Sequence, residues 1–305
     1  MKIEHFVAFS TASILGISAV ANLIRGDEEY TRRTGDSGND VFVTDSGGRI
    51  EYSLRPQDRR GPLLVLEHGL GSPLESWDWV QYHAQGDFDC LRYNRSGIGL
   101  SNSKLTGGQA LHQLLTQIPS ISDRRFTLVT HSFGSIMAIN LLKNYPSLRN
   151  RCDGVIFVDA TDPELWETSR NDSEAAGFYR QTTAQEIFST ISGMSRWVPS
   201  KIEKDVEYRP VIQRSYIQTL GSVRTLLGAQ REFFDTPGVN ISEFIALGLR
   251  TLVVAAADNV DQQRALAEKL GSDFDVIAGS SHRRILGGID CAAELTEKIR
   301  DWVVR

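Results

Sequence analysis

Residues 126–130 form an apolar, strand-like run, and residues 135–145 carry a helical pattern; between them stand His131-Ser132-Phe133-Gly134. A strand, a tight turn and a helix with serine at the apex lift the serine hydroxyl clear of a sheet. The same turn places the backbone N–H of Phe133 at a helix N-terminus, where it faces a developing oxyanion. The general pattern is Gly-x-Ser-x-Gly; this chain keeps Gly134 and has Thr130 at the first glycine position. A serine at a helix start is also an ordinary N-cap, so its chemistry depends on what else reaches it.

An activated serine needs a base, an acid that orients the base, and donors for the oxyanion. After the run 63–67 comes His68-Gly69-Leu70-Gly71. Its glycines permit a sharp turn that offers the N–H of Leu70 as a second oxyanion donor. His68 in that turn is expected to order the loop through a backbone hydrogen bond. Of the six histidines, His5 lies beside a hydrophobic segment, His83 and His112 sit on helical stretches, and His131 is expected to point into the sheet layer. His282, in Gly279-Ser280-Ser281-His282 just after a strand-like run, remains as the candidate base. Two carboxylates follow strands, Asp258 after 253–257 and Asp159 after 156–158. The order Ser, Asp, His suits either. Asp258 is preferred because its strand immediately precedes the one leading to His282; Asp159 is the alternative acid, with capping of the following helical region or of backbone amides as its other role.

These residues require a scaffold. Apolar runs at 63–67, 126–130, 154–158 and 251–255 alternate with helical patterns at 77–83, 109–117, 135–145, 261–270 and 291–304. Further strands are expected at 41–44, 49–53, 88–93 and 274–277. Continuous apolar strands separated by helices imply an α/β fold, a mostly parallel doubly wound sheet covered on both faces. Ligands then bind beyond the carboxyl ends of the strands. Residues 163–248 break the rhythm with helical patterns and many aromatics, and an insertion of that size reads as a helical lid. The 305 residues carry a net charge of −5 and are 41% apolar, as in a globular protein. The mild acidity and the lack of a basic run argue against a nucleic-acid partner. Three cysteines and no CxxC pair make neither a disulfide framework nor a zinc site. The uncharged stretch 6–24 is long enough to span a bilayer; it reads as an anchor, as a signal peptide, or as a helix packed on the domain. Membrane association through it is one expectation, and export or a cytoplasmic location are the others.

Taken together, these motifs resemble the α/β-hydrolase fold family from about residue 63 to the C-terminus. The resemblance rests on Leu66-Glu67-His68-Gly69-Leu70-Gly71 with Trp77, on Asn94-Arg95-Ser96-Gly97-Ile98-Gly99-Leu100-Ser101, and on Leu128-Val129-Thr130-His131-Ser132-Phe133-Gly134-Ser135. Asn94 stands where the family usually has Asp. The resemblance implies Ser132 as nucleophile, His282 as base, Asp258 as acid, and Leu70 and Phe133 as oxyanion donors, with no metal or organic cofactor. The implied reaction is acyl transfer to water on a small, partly apolar substrate, carboxyl esters first. The rival is a scaffold of the same fold that binds a ligand with little turnover.

Overall fold

The computed structural model of the chain describes residues 39–55, 61–192 and 205–305. Residues 6–24 lie outside these. Among the described residues no helix is long and apolar enough to cross a membrane.

Eight strands form one sheet: β1 (Asp40–Val43), β2 (Arg49–Arg55), β3 (Leu63–Glu67), β4 (Asp89–Tyr93), β5 (Phe126–His131), β6 (Cys152–Val158), β7 (Thr251–Ala256) and β8 (Asp273–Ile277). Their order across the sheet is β1-β2-β4-β3-β5-β6-β7-β8. The β1–β2 and β2–β4 pairs are antiparallel, and every later pair is parallel. Strands β3, β4, β5 and β7 are buried at every position because both faces are covered, and most of their residues are apolar. Successive side chains alternate faces. Leu63, Val65, Leu128, Val155, Phe157 and Val253 enter one core cluster, whereas Leu64, Leu66, Val129, Ile156, Val158 and Val254 enter the other.

Helices α1 (Asp78–His83), α2 (Gly107–Gln117), α3 (Gly134–Asn144) and α4 (Pro146–Arg149) precede or follow the central strands. Helix α2 begins with a reciprocal capping box between Thr106 and Gln109. The apolar residues of α2 and Ala138, Ile139, Leu141 and Leu142 of α3 fill the first cluster. Trp79 and Val80 of α1 fill the second. Residues 163–248 contain α5 (Pro163–Asn171), α6 (Ser173–Ser192), α7 (Pro210–Leu220), α8 (Val223–Asp235) and α9 (Ile241–Ile245). Asp162 caps α5 through the amides of Glu164 and Leu165, with Pro163 in the first turn. The chain closes with α10 (Val260–Leu270), α11 (Arg284–Gly287) and α12 (Ile289–Val304). Leu295, Ile299 and Trp302 seat α12 on the second face. The aromatics of 163–248 divide their duties. Tyr179, Phe233 and Phe234 pack on one another, Phe244 packs on Phe157 of the core, and Phe178 and Phe188 are exposed. Met194 and Trp197 lie outside the described residues.

Candidate active site

Ser132 follows β5 at φ +53°, in the left-handed region. The turn is tight because α3 must start against the neighbouring strand. A Cβ on Gly134 would stand 2.6 Å from the carbonyl oxygen of Glu67, so only glycine fits there. Thr130, in place of the first glycine of the pattern, is fully buried, and its hydroxyl donates to the Ile156 carbonyl (3.3 Å). Ser135 donates likewise to the Thr161 carbonyl (2.8 Å). The Thr130 hydroxyl is thus satisfied by β6, and that of Ser135 by the segment that follows β6.

His282 Nε2 lies 3.1 Å from Ser132 Oγ. Its Nδ1 is hydrogen-bonded to Asp159 Oδ2. The preference for Asp258 is corrected here: Asp258 is an exposed turn residue after β7, and the carboxylate on the imidazole is that of Asp159. Proximity in sequence misled, because β6 lies between β5 and β7 and its end is the nearer one to Ser132. Asp159 adopts φ +41°; it and Ser132 are the non-glycine residues with positive φ among the described residues. Such conformations each cost of order 1–3 kcal/mol and gather at functional sites. Asp159 Oδ1 accepts from the Ala256 amide (3.2 Å) and from Asn259 Nδ2 (3.1 Å), so the β7 end supports this carboxylate from behind. Burial of Asp159 favours its neutral form, but the hydrogen bond and charge of His282 outweigh this and hold its pKa below the usual carboxylate value. The capping role considered for Asp159 belongs to Asp162.

The loop after β3 passes over the serine. A Cβ on Gly69 would stand 3.2 Å from Ser132 Cβ. The N–H groups of Leu70 and Phe133 have no hydrogen-bond acceptor among the described residues. His68 donates from Nδ1 to the Gly69 carbonyl (3.0 Å) and accepts from the Arg95 amide at Nε2 (3.4 Å). Burial and the Arg95 charge keep it neutral, with a pKa well below the usual histidine value.

Three features were not read from the sequence. The first is a buried guanidinium. Arg95 is 1% exposed. It ion-pairs with Glu67 and grips the His68 and Gly69 carbonyls (2.6 and 2.7 Å). It also binds Glu232 of α8 through Nε and Nη2 (2.6 and 2.9 Å). The loop after β3 is thus tied to the helical insertion. A charged Glu67 inside an otherwise apolar strand was the available signal, since a buried charge requires a partner. The second is Asn94, which accepts from the Leu74 amide (2.7 Å) and donates to buried Glu51 (2.7 Å). An aspartate there would set two buried carboxylates together. The third is His131. It is buried at the end of β5 as expected, edge-on to Trp77, and in addition donates from Nε2 to the His282 carbonyl (2.8 Å) and lies beside the His282 ring. Burial above all, and the nearby His282, lower its pKa to about 3. It is neutral near pH 7 and serves to position the loop that carries His282.

Ser132 lines a cavity of about 210 Å³ together with Gly69, Leu70, Tyr208, Tyr216 and His282. A second cavity of about 310 Å³, lined by Trp166, Leu165 and Phe233, meets the other side of His282. Trp166 of α5 also packs edge-on against Phe133, which places the insertion directly over the turn. Among the described residues no group of three or more His, Cys, Asp or Glu side chains could hold a metal ion.

Comparison with known proteins follows this geometry. The model of the alpha/beta hydrolase family matches residues 63–296. Solved structures with the same fold include a carboxylesterase of the thaumarchaeon Nitrososphaera gargenis (18% identity, TM-score 0.64, covering 87% of this chain and 98% of that one). An enol-lactonase from Burkholderia xenovorans is similar at 18% identity and TM-score 0.58, covering 87% and 100%. An epoxide hydrolase from Acinetobacter nosocomialis matches at 14% identity and TM-score 0.65, covering 91% and 95%. No curated protein matches the sequence.

Proposed function

The chain belongs to the α/β-hydrolase family and is a hydrolase of small molecules, and on that premise we propose that it cleaves an ester-type bond through Ser132, His282 and Asp159. The observation that carries this reading is the continuous hydrogen-bonded line from Ser132 Oγ through the imidazole to Asp159. His282 Nε2 takes the proton as Ser132 Oγ attacks the carbonyl carbon. The oxyanion is held by the N–H groups of Leu70 and Phe133, each worth about 3 kcal/mol in the transition state. Asp159 keeps the Nδ1–H tautomer and stabilises the imidazolium. The leaving alkoxide departs with the proton from His282, and water, deprotonated by the same nitrogen, then releases the acyl group from Ser132. The helical insertion lies beside the site as a lid, its Trp166 and Phe233 lining the cavity that His282 borders. Ser132 also argues against epoxide opening, because attack by serine would leave an ether that water does not cleave.

The test is labelling of the full chain by a fluorophosphonate together with turnover of p-nitrophenyl acetate. Both are expected to vanish in Ser132→Ala and His282→Ala variants that keep the wild-type unfolding midpoint. A folded wild-type protein that neither labels nor turns over would overturn the reading and favour a ligand-holding scaffold.

A further inference from the structure

Two consecutive arginines follow His282, and they differ in what they meet. Arg284 Nη1 donates to Glu207 Oε1 (2.6 Å). Arg283 has no ion pair or hydrogen bond from its side chain among the described residues. It lines the 210 Å³ cavity that also holds Ser132. Its backbone is fixed by the same turn that presents the imidazole, since its carbonyl accepts from the amides of Leu286 (3.3 Å) and Gly287 (2.9 Å). The charge reaches the opposite walls of the cavity. Burial raises the Tyr216 pKa, and the Arg283 charge is the largest influence against that rise; it likewise disfavours protonation of His131. No Asp or Glu lines this cavity. Its other polar side chains are the imidazoles of His131 and His282 and the hydroxyls of Ser72, Ser76, Ser132, Tyr208 and Tyr216. Ser76 Oγ is buried without a partner, and the Tyr216 hydroxyl has no hydrogen bond among the described residues. A cation and hydroxyl donors with no anion among them form a receptor for a carboxylate.

The side of the ester follows from the two cavities. The acyl group is bonded to Ser132 and must stay in the cavity Ser132 lines. The leaving group takes its proton from His282, which also borders the second cavity, where Ser132 is absent. The cavity volume is about 210 Å³. It lies below the 300–1,000 Å³ usual for drug-sized ligands.

Resting on the serine-hydrolase reading, we propose that Arg283 selects esters whose short acyl chain ends in a carboxylate, the half-esters of four-carbon dicarboxylic acids being the best fit.

The experiment compares kcat/KM for monoethyl succinate and for ethyl butanoate, equal in chain length, by pH-stat at low salt on the full chain. The anionic ester is expected to be preferred at least tenfold. That ratio is expected to fall to within about twofold of unity in Arg283→Gln and to remain in Arg284→Gln. A wild-type ratio near or below one, or a ratio retained in Arg283→Gln, overturns the proposal even if the hydrolase reading stands. If neither ester is turned over, succinate binding by calorimetry decides: binding weakened at least tenfold in Arg283→Gln supports the carboxylate subsite, and absent or unchanged binding refutes it.

Discussion

Replacing Asp159 by Asn tests which carboxylate orients His282 while conserving shape. In the wild type Asp159 Oδ1 accepts two hydrogen bonds, from the Ala256 amide and from Asn259, while Oδ2 faces His282 Nδ1. Both Oδ1 partners are donors, so an Asn side chain would keep its carbonyl oxygen there. Its NH2 group would then occupy the Oδ2 position and point at Nδ1. A donor cannot face a donor, so the imidazole must move its proton to Nε2. That nitrogen, 3.1 Å from Ser132 Oγ, would no longer accept the serine proton. Loss of the correct tautomer in such a triad is worth about 10⁴ in kcat, about 5.5 kcal/mol of barrier. Asp258, an exposed turn residue, is expected to tolerate Asn within about twofold. The assay is kcat on p-nitrophenyl acetate for both variants, with urea midpoints confirming that each folds. A loss below tenfold in Asp159→Asn, or a larger loss in Asp258→Asn, would refute the assignment of the acid.

Acid should begin to destabilise the fold through its buried histidines. His131 has a folded pKa of about 3 against about 6.5 unfolded. The unfolded chain therefore takes up a proton that the folded chain refuses, and stability present above pH 6.5 is lost as pH falls, by up to about 1.4 kcal/mol per unit from this residue. His68, also depressed, adds to the slope, whereas the lowered pKa of Asp159 acts only below about pH 4. Urea unfolding from pH 7 to 4.5 should show this slope, reduced by about one proton in His131→Asn; an unchanged slope would contradict it. Arg95→Met should cost about 3–5 kcal/mol, because it leaves buried Glu67 and part-buried Glu232 without their counter-charge. Glu232→Gln retains an acceptor for Arg95 and should cost clearly less. Denaturant midpoints that rank the two variants in the reverse order would remove the buried-charge explanation.

The central strands were legible because burial on both faces demands apolar runs, and the runs at 63–67, 126–130 and 251–255 lie within β3, β5 and β7. The turn at Ser132 was legible for a similar reason: its strand, glycine and helix are contiguous, so local spacing carries the geometry. His282 emerged by elimination, and the structure brings it to Ser132 across 150 positions. Asp159 could not be separated from Asp258 in this way. Both follow apolar strands, and the choice depends on which strand neighbours β5 and on a backbone turn at φ +41°. Arg95, Glu232 and His131 were missed because their partners lie on elements remote in sequence.

The sequence by itself determined the layered α/β architecture and the serine turn, since hydrophobic period and local turn chemistry are properties of neighbouring residues. Only the tertiary structure decided the carboxylate behind His282, the buried Arg95 that ties the loop after β3 to α8, and the unpaired Arg283 beside Ser132. Each of those depends on strand order and on charge compensation between distant segments, and neither is written in the spacing of adjacent residues.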